Sequence, residues 1–268
     1  MKTISKILTV VLLLMITGCI KNDTYVVPEE IDQAQAALTV DVRSLSDQQL
    51  TVQNYVKERP IIAHRGTTNY APQGTAAAYR FARYVGADYL QIDLQMTSDG
   101  FLVAFKGDDL AGKSNVDELF PGYENAPVNH FTLAELKTLD IGSWFASTTY
   151  DRPGFQGLKI LTLEEIINIC EGKLEDGTPD PADTGNRPGI YIRMYDPWLN
   201  IGIEEKLKTE LMRLGWYDEN LDNLRPITTF PDKVAVANTK GRVFLATLQN
   251  ASLLKLEEVF EGKLPLAQ

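Results

Sequence analysis

The sequence has few cysteines, few histidines and no excess of positive charge. Its 268 residues include two cysteines and two histidines, and 26 basic residues stand against 36 acidic ones, for a net charge of −10. Nucleic acid backbones require a basic surface, so we expect no nucleic acid partner. With 44% hydrophobic residues, the chain is able to bury one large core or two small ones.

The N-terminal apolar run is too short to cross a membrane, which takes about 20 apolar residues. Residues 7–15 form this run, after Lys2 and Lys6, and the segment closes with Ile16-Thr17-Gly18-Cys19. This arrangement resembles the lipobox of bacterial lipoproteins, whereas a buried helix fits it poorly. We therefore expect residues 1–19 to be a signal peptide and Cys19 to carry the lipid. The expected location is the bacterial cell envelope, with the lipid in the membrane.

The next segment has no fold signature of its own. Residues 20–59 begin as a polar, acidic tether. Ser46 then predicts the start of an N-terminal helix, which ends before Pro60. With Cys19 acylated, Cys170 has no partner for an intramolecular disulfide. Because Cys170 lies in an apolar stretch, we expect it to be a small core residue.

Residues 60–268 alternate between short apolar stretches and segments with helical spacing. This alternation predicts an α/β domain with a parallel sheet or barrel. Two capping boxes, Thr132–Glu135 and Thr162–Glu165, predict the starts of two helices. Asn250 or Ser252 is the predicted cap of the last helix. The acidic segment 172–189 is predicted to be a solvated loop without a metal site. Strands are predicted at residues 61–63, 89–96, 101–105, 189–194 and 242–248, and further helices at 76–85 and 203–214.

Several segments, in the same order, resemble glycerophosphodiester phosphodiesterases. They are residues 60–66, 71–75, 86–93, 132–136, 139–145 and 161–165. The resemblance extends from residue 60 to residue 268 and is weaker between 217 and 241. It implies a TIM-type (β/α)8 barrel. Because residues 264–268 resemble the beginning of the family's sixth strand, we expect an incomplete barrel with the first five to six strands; the alternative is a naturally reduced fold.

The resemblance also implies a catalytic apparatus. Members of the family hold a divalent metal with carboxylates, use two histidines as acid and base, and neutralise the phosphate with cationic side chains. His64 and Arg65 match the first histidine and its arginine, so we expect a catalytic and a phosphate-binding role, respectively. Asp93 keeps a metal-binding carboxylate.

Other positions of the resemblance carry different chemistry. Gln73 and Gln91 stand where the family has metal-binding glutamates. Lys106 stands at the position of the second histidine. Arg193 replaces the glutamate of the fourth strand, and an arginine offers no acceptor to a metal. Tyr195 stands where a lysine is usual.

The remaining charges predict an anion site. With His64 neutral, Arg65, Lys106 and Arg193 oppose only Asp93. We therefore expect a lipid-anchored member of the family that has lost metal-dependent hydrolysis and binds phosphate esters or another anion. No cofactor is expected, and Ca²⁺ or Mg²⁺ belongs to the alternative, an active phosphodiester hydrolase. A second alternative is a scaffold or interaction lipoprotein.

The strand pattern makes one further structural prediction. Residues i and i+2 on a strand share a face, so Gln91 and Asp93 point together into the barrel. Arg193 is expected to point to the same place from the fourth strand. We therefore predict a direct contact between Asp93 and Arg193, with Gln91 beside it, in the volume where the family has its metal.

Overall fold

The computed structural model describes residues 45–145 and 154–268. The predicted signal peptide with Cys19, and the tether up to residue 44, lie outside the described residues. Within the described part of the chain, no helix is long and apolar enough to cross a membrane.

The strands belong to one sheet. In the described residues this sheet has seven strands, in the order β4-β3-β2-β5-β6-β7, with β1 paired to β2. Their bounds are β1 Ile62–His64, β2 Tyr89–Met96, β3 Leu102–Ala104, β4 Leu161–Thr162, β5 Gly189–Met194, β6 Val243–Thr247 and β7 Leu266–Ala267.

Helices connect the strands. The α-helices are α1 Asp47–Tyr55, α2 Ala76–Tyr84, α3 Val116–Leu119, α4 Leu133–Leu136, α5 Leu163–Cys170, α6 Ile203–Arg213 and α7 Asn250–Val259. Short 3-10 helices occupy Val128–His130, Ser143–Phe145, Pro197–Leu199, Leu221–Asn223 and Val236–Asn238.

The predicted α/β class is confirmed. The sheet of the described residues has seven strands, where the sequence predicted about five to six, and the chain direction reverses at one place in the sheet. The pairs β1–β2, β2–β5, β5–β6 and β6–β7 are parallel, as expected. However, β2–β3 and β3–β4 are antiparallel. The chain reverses between β2 and β3 at Asp99-Gly100, where Gly100 has a φ of 84°. Among the described strands no pair closes the sheet into a ring.

The two faces of the central strands have different chemistry. Leu90, Ile92 and Leu94 of β2 point to the face covered by helices, and they belong to the main core. Residues of β5, β6 and the helices complete this core, namely Ile190, Ile192, Leu245, Ile166, Leu207 and Leu256. The opposite face carries Gln91 and Asp93, as the period-2 pattern requires. The polar residues of the site therefore lie on the face opposite the main core.

Helix starts follow the capping pattern of the sequence in three of four cases. Ser46, Thr132 and Thr162 each form a capping box with the residue three positions on. The prediction for α7 was wrong, because Gln249 is its N-cap and makes no side-chain capping bond. Cys170 is fully buried in the core, as predicted.

The acidic segment 172–189 is only partly the solvated loop that we predicted. Asp180 in this segment is buried. Its carboxylate accepts hydrogen bonds from Arg80 Nε at 3.0 Å and Nη2 at 2.9 Å, and it also pairs with the buried Arg83. Arg83 in turn donates to the carbonyl of Ile169 at 2.8 Å. The segment is therefore fastened to α2 by a buried ion cluster, and the sequence pattern could not indicate burial of this one carboxylate.

Asp180→Ala should destabilise the fold by about 3–5 kcal/mol, because it leaves buried Arg83 without its counter-charge. Burial alone would raise the pKa of Asp180, but hydrogen bonds from Ala182, Arg80 and Arg83 outweigh it and hold the pKa below its usual value. The stabilisation is thus complete above the unfolded carboxyl pKa of about 4 and is lost as the pH falls through the folded pKa.

Urea unfolding across pH measures this effect, with Asp117→Ala, at an exposed aspartate, as the control. Equal midpoints for Asp180→Ala and the wild type at pH 7 would contradict the assignment.

Candidate functional site

The polar face of the sheet ends in a group of charged side chains. In the strand register, His64 of β1 lies beside Gln91 of β2, and Asp93 of β2 lies beside Arg193 of β5. His64 is the last residue of β1 and Arg193 the last but one of β5, so these two side chains lie at the carboxyl ends of parallel strands, with the middle of β2 beside them. Active sites of parallel α/β barrels occupy this end.

A tight turn after β1 directs Arg65 towards this group. Arg65 has a φ of 54°, and Gly66 follows with a φ of 86°. A Cβ atom at Gly66 would lie 2.6 Å from the Cβ of Ala78, so only glycine fits here. The N–H of Arg65 donates to Gln91 twice, to the backbone oxygen at 3.1 Å and to Oε1 at 3.0 Å. The backbone thus fixes the direction of the Arg65 side chain.

Asp93 is the centre of the site. It is only 2% exposed. Its Oδ1 accepts from Arg193 Nε at 2.5 Å and from Gln91 Nε2 at 3.1 Å. Its Oδ2 accepts from Arg65 Nε at 2.6 Å. The predicted contact between Asp93 and Arg193, with Gln91 beside it, is confirmed. The second arginine on Asp93 was not predicted.

The residues at the family's metal positions do not fit a divalent cation. Gln73 Oε1 accepts from Arg65 Nη1 at 3.0 Å, and Gln91 Oε1 accepts from the Arg65 N–H. Both oxygens of Asp93 face arginines. Residues 45–145 and 154–268 also contain no group of three or more His, Cys, Asp or Glu that could hold a metal ion. Oxygen-ligand cations need anionic cages, and here the oxygens face positive hydrogen-bond donors.

Lys106 lies on the other side of the site, next to Tyr195. Its Nζ donates to the Tyr195 hydroxyl at 3.0 Å, and this hydroxyl donates to Asp108 Oδ1 at 2.7 Å. Burial raises the pKa of Tyr195, and the Asp108 carboxylate raises it further. Tyr195 therefore stays a neutral hydroxyl that joins a cation to a carboxylate.

Lys113 is a cation that the sequence did not identify. Its Nζ donates to the Lys106 carbonyl at 2.8 Å, because the loop after β3 folds back on itself. Burial lowers the pKa of Lys113, and the charges of Lys106 and Arg65 lower it further. No motif marks this residue, since its place depends on the path of an irregular loop.

His64 lies at the edge of the group and is exposed. Partial burial and the Arg65 charge lower the pKa of its imidazole from the usual 6.5. The ring is therefore neutral at pH 7. Its predicted catalytic role remains a prediction.

Two cavities meet at Arg65 and Lys106. A narrow one of about 10 Å³ is lined by these residues with Asp93 and Lys113, and it has the size of one water molecule. A wider cleft of about 340 Å³ is lined by Arg65, Lys106, Arg193 and Asp196, among others. In each lining, three cationic side chains face one carboxylate. The arrangement suits an anion in the wider cleft.

Comparison with known proteins relates this site to a family. The profile of the glycerophosphoryl diester phosphodiesterase family matches residues 64–188. A glycerophosphodiester phosphodiesterase of Bacillus subtilis (strain 168) is 34% identical over 154 residues, which cover 57% of this chain and 45% of that protein. One from Caldanaerobacter subterraneus subsp. tengcongensis is 35% identical over 113 residues, which cover 42% of this chain and 41% of that protein. The chain thus spans less than half the length of these two relatives.

Solved structures show the same fold. A glycerophosphodiester phosphodiesterase from Agrobacterium tumefaciens str. C58 matches with a TM-score of 0.51 and 22% identity, over 76% of this chain and 64% of that one. A phosphodiesterase from Oleispira antarctica, in complex with the product sn-glycerol-3-phosphate, matches with a TM-score of 0.50 and 21% identity, over 78% and 64%. The predicted TIM-barrel architecture is confirmed, and the open sheet corresponds to part of such a barrel.

Asp93→Ala should lower the free energy of unfolding by about 3–5 kcal/mol, because Arg65 and Arg193 would face each other without a counter-charge. Asp108→Ala is the control, since Asp108 is an exposed carboxylate of the same neighbourhood. Chemical denaturation of the two variants measures the difference. A midpoint of Asp93→Ala equal to that of Asp108→Ala would refute the central role of Asp93.

Proposed function

We propose that this chain, which belongs to the glycerophosphodiester phosphodiesterase family, binds phosphate esters without metal-dependent hydrolysis. The observation that carries the proposal is the buried Asp93 carboxylate held by Arg65 and Arg193. Two guanidinium groups supply the positive charge that a metal would supply in a hydrolase of this family. The ligand would lie directly against these groups.

The cost of metal binding supports the loss of hydrolysis. A divalent cation at Asp93 would have to displace two arginines from a carboxylate that water hardly reaches. Each displaced guanidinium would lose a charge-assisted hydrogen bond, and the amides of Gln73 and Gln91 would return no negative charge. Arginine cannot lose its own charge to make room.

The acid–base chemistry supports the same conclusion. An imidazole exchanges protons near neutral pH, and a lysine amine ordinarily does not. Lys106 stands where the family resemblance places the second histidine, so one of the two proton-transfer groups has changed its chemistry. His64 remains neutral and is able to accept a proton, which is the observation in favour of the alternative, a divergent hydrolase.

The free donors of the cleft support phosphate ester binding. Arg65 Nη2 and Arg193 Nη1 donate to no other described residue, and both residues line the cleft with Lys106. Because Asp93 holds both arginines in place, little side-chain entropy would be lost when an anion binds. Planar guanidinium groups also match the geometry of phosphate oxygens.

We further propose that the protein is attached to a membrane of the bacterial cell envelope through a lipid on Cys19. The short apolar run and the sequence Ile16-Thr17-Gly18-Cys19 support this attachment. The net charge of −10 supports the absence of a nucleic acid partner.

Glycerol 3-phosphate should bind in the presence of EDTA, and Lys106→Met should weaken its binding about tenfold or more, because a charged hydrogen bond contributes about 1.5–3 kcal/mol. Isothermal titration calorimetry measures both affinities. Lys233→Met, an exposed lysine outside the cleft lining, is the matched control and should bind like the wild type.

With Ca²⁺ or Mg²⁺, the wild type should not hydrolyse glycerophosphocholine. Metal-stimulated release of glycerol 3-phosphate that His64→Ala abolishes would instead establish the hydrolase. Binding of neither ester nor metal would favour a scaffold. Restoring glutamate together at Gln73, Gln91 and Arg193 should produce measurable calcium affinity.

Cys19→Ser should leave the precursor uncleaved and without lipid, because the lipobox cysteine is the acylated residue. Metabolic labelling with a radioactive fatty acid and the mobility of the chain in gels measure both effects. Normal cleavage of an unlipidated wild-type chain that appears in the soluble fraction would disprove the attachment.

A further inference from the structure

Large apolar side chains stand exposed at the mouth of the site. Trp198 is 57% exposed and Ile201 is 89% exposed, in the loop that follows β5. Leu248 is 69% exposed and follows β6. Because β5 and β6 are parallel neighbours, both loops lie at the same edge of the sheet. We call Trp198, Ile201 and Leu248 the apolar rim.

The apolar rim borders the cationic cleft directly. Trp198 and Leu248 line the same 340 Å³ cleft as Arg65, Lys106 and Arg193. A ligand that enters between the cations therefore passes apolar side chains at the entrance. The mouth combines a phosphate-binding interior with an apolar border.

Hydrogen bonds hold the loop of the rim in its place. Asn200, between the two exposed residues, is 2% exposed. Its Oδ1 accepts from the Met96 N–H of β2 at 3.0 Å, and its Nδ2 donates to the Asp196 carbonyl at 3.1 Å. Asn129 Nδ2 also donates to the Leu199 carbonyl at 2.5 Å. The loop is thus braced with its apolar side chains outward, although burying one such side chain would contribute about 1.5–3 kcal/mol.

We propose that the apolar rim enters the interfacial layer of a phospholipid bilayer, so that the cleft receives the phosphate of a lipid headgroup. This inference rests on the proposed phosphate ester binding and names the source of the ester. Tryptophan favours the membrane interface, and basic side chains beside it meet the headgroup phosphates. A freely dissolved ester would require no apolar border.

Charge favours one orientation on the bilayer. The chain as a whole carries −10, which an anionic membrane surface repels. The cleft lining, with three cations and one carboxylate, has the opposite sign. Approach with the cleft towards the lipid is therefore the favoured approach.

Tryptophan fluorescence of the full-length chain tests the proposal. The protein is mixed with vesicles of phosphatidylcholine and phosphatidylglycerol whose acyl chains are brominated near the headgroup, because bromine quenches tryptophan only at short range. Wild type and Trp198→Phe are compared, which isolates Trp198 from the buried Trp216 and from Trp144. We expect strong quenching of the wild type and loss of its Trp198 component in the variant.

A matched pair of variants distinguishes membrane contact through the apolar rim from non-specific membrane binding and from binding through an N-terminal lipid. Ile201→Asp should remove most of the Trp198 quenching, because a carboxylate opposes entry into the interface. Val85→Asp should retain it, since Val85 is also exposed, at 58%, but lies before β2, at the opposite end of the sheet. Equal quenching of wild type and Trp198→Phe would overturn the proposal. Equal effects of Ile201→Asp and Val85→Asp would overturn it too. Either outcome would leave a protein partner as the alternative occupant of the apolar rim.

Calorimetry with glycerol 3-phosphate separates this inference from the proposed function. Wild type that binds the soluble ester but shows no Trp198 quenching would overturn the membrane inference alone. Quenching without any binding of the ester would overturn phosphate binding in the cleft, and the headgroup claim with it. Binding of the ester together with Ile201-dependent quenching supports both.

Discussion

The ion cluster of Asp93, Arg65 and Arg193 is the interaction on which the site depends. One buried carboxylate joins the turn after β1 to the neighbouring strand β5, through hydrogen bonds of 2.6 Å and 2.5 Å. A buried carboxylate without a counter-charge would be costly, and the two arginines would repel each other without Asp93. The same cluster occupies the ligand oxygens that a metal would need and fixes the arginines that face the cleft. The same carboxylate therefore stabilises the fold and positions the arginines that line the cleft.

The parts predicted from sequence were those governed by strand periodicity. Gln91 and Asp93 share a face, and β5 aligns Arg193 with Asp93, so the contact followed from the pattern of two neighbouring strands. The second arginine on Asp93 escaped prediction because it depends on the positive φ of Arg65. Lys113 and the buried Asp180 escaped it because irregular loops place them. The reversal between β2 and β3 likewise depends on one turn, and the local sequence pattern did not predict that β3 would run antiparallel to β2.

Strand β2 connects the ion cluster and the apolar rim. It pairs with β1, β3 and β5, and its last residue, Met96, donates to the Asn200 side chain in the rim loop. The cationic cleft and the apolar rim are therefore attached to the same eight residues. A substitution in β2 affects both at once, whereas Ile201 can change without touching the ion cluster.

The sequence separation within the ion cluster has a kinetic consequence. Asp93 and Arg65 are 28 residues apart, whereas Asp93 and Arg193 are 100 residues apart. Contacts between distant residues form late, since a long loop must close first, and ribosomes deliver the N-terminal partner earlier. During synthesis Arg65 and Asp93 therefore emerge well before Arg193. Until β5 arrives, one arginine is available to balance the charge of Asp93, and Arg193 then adds the second positive charge of the cluster.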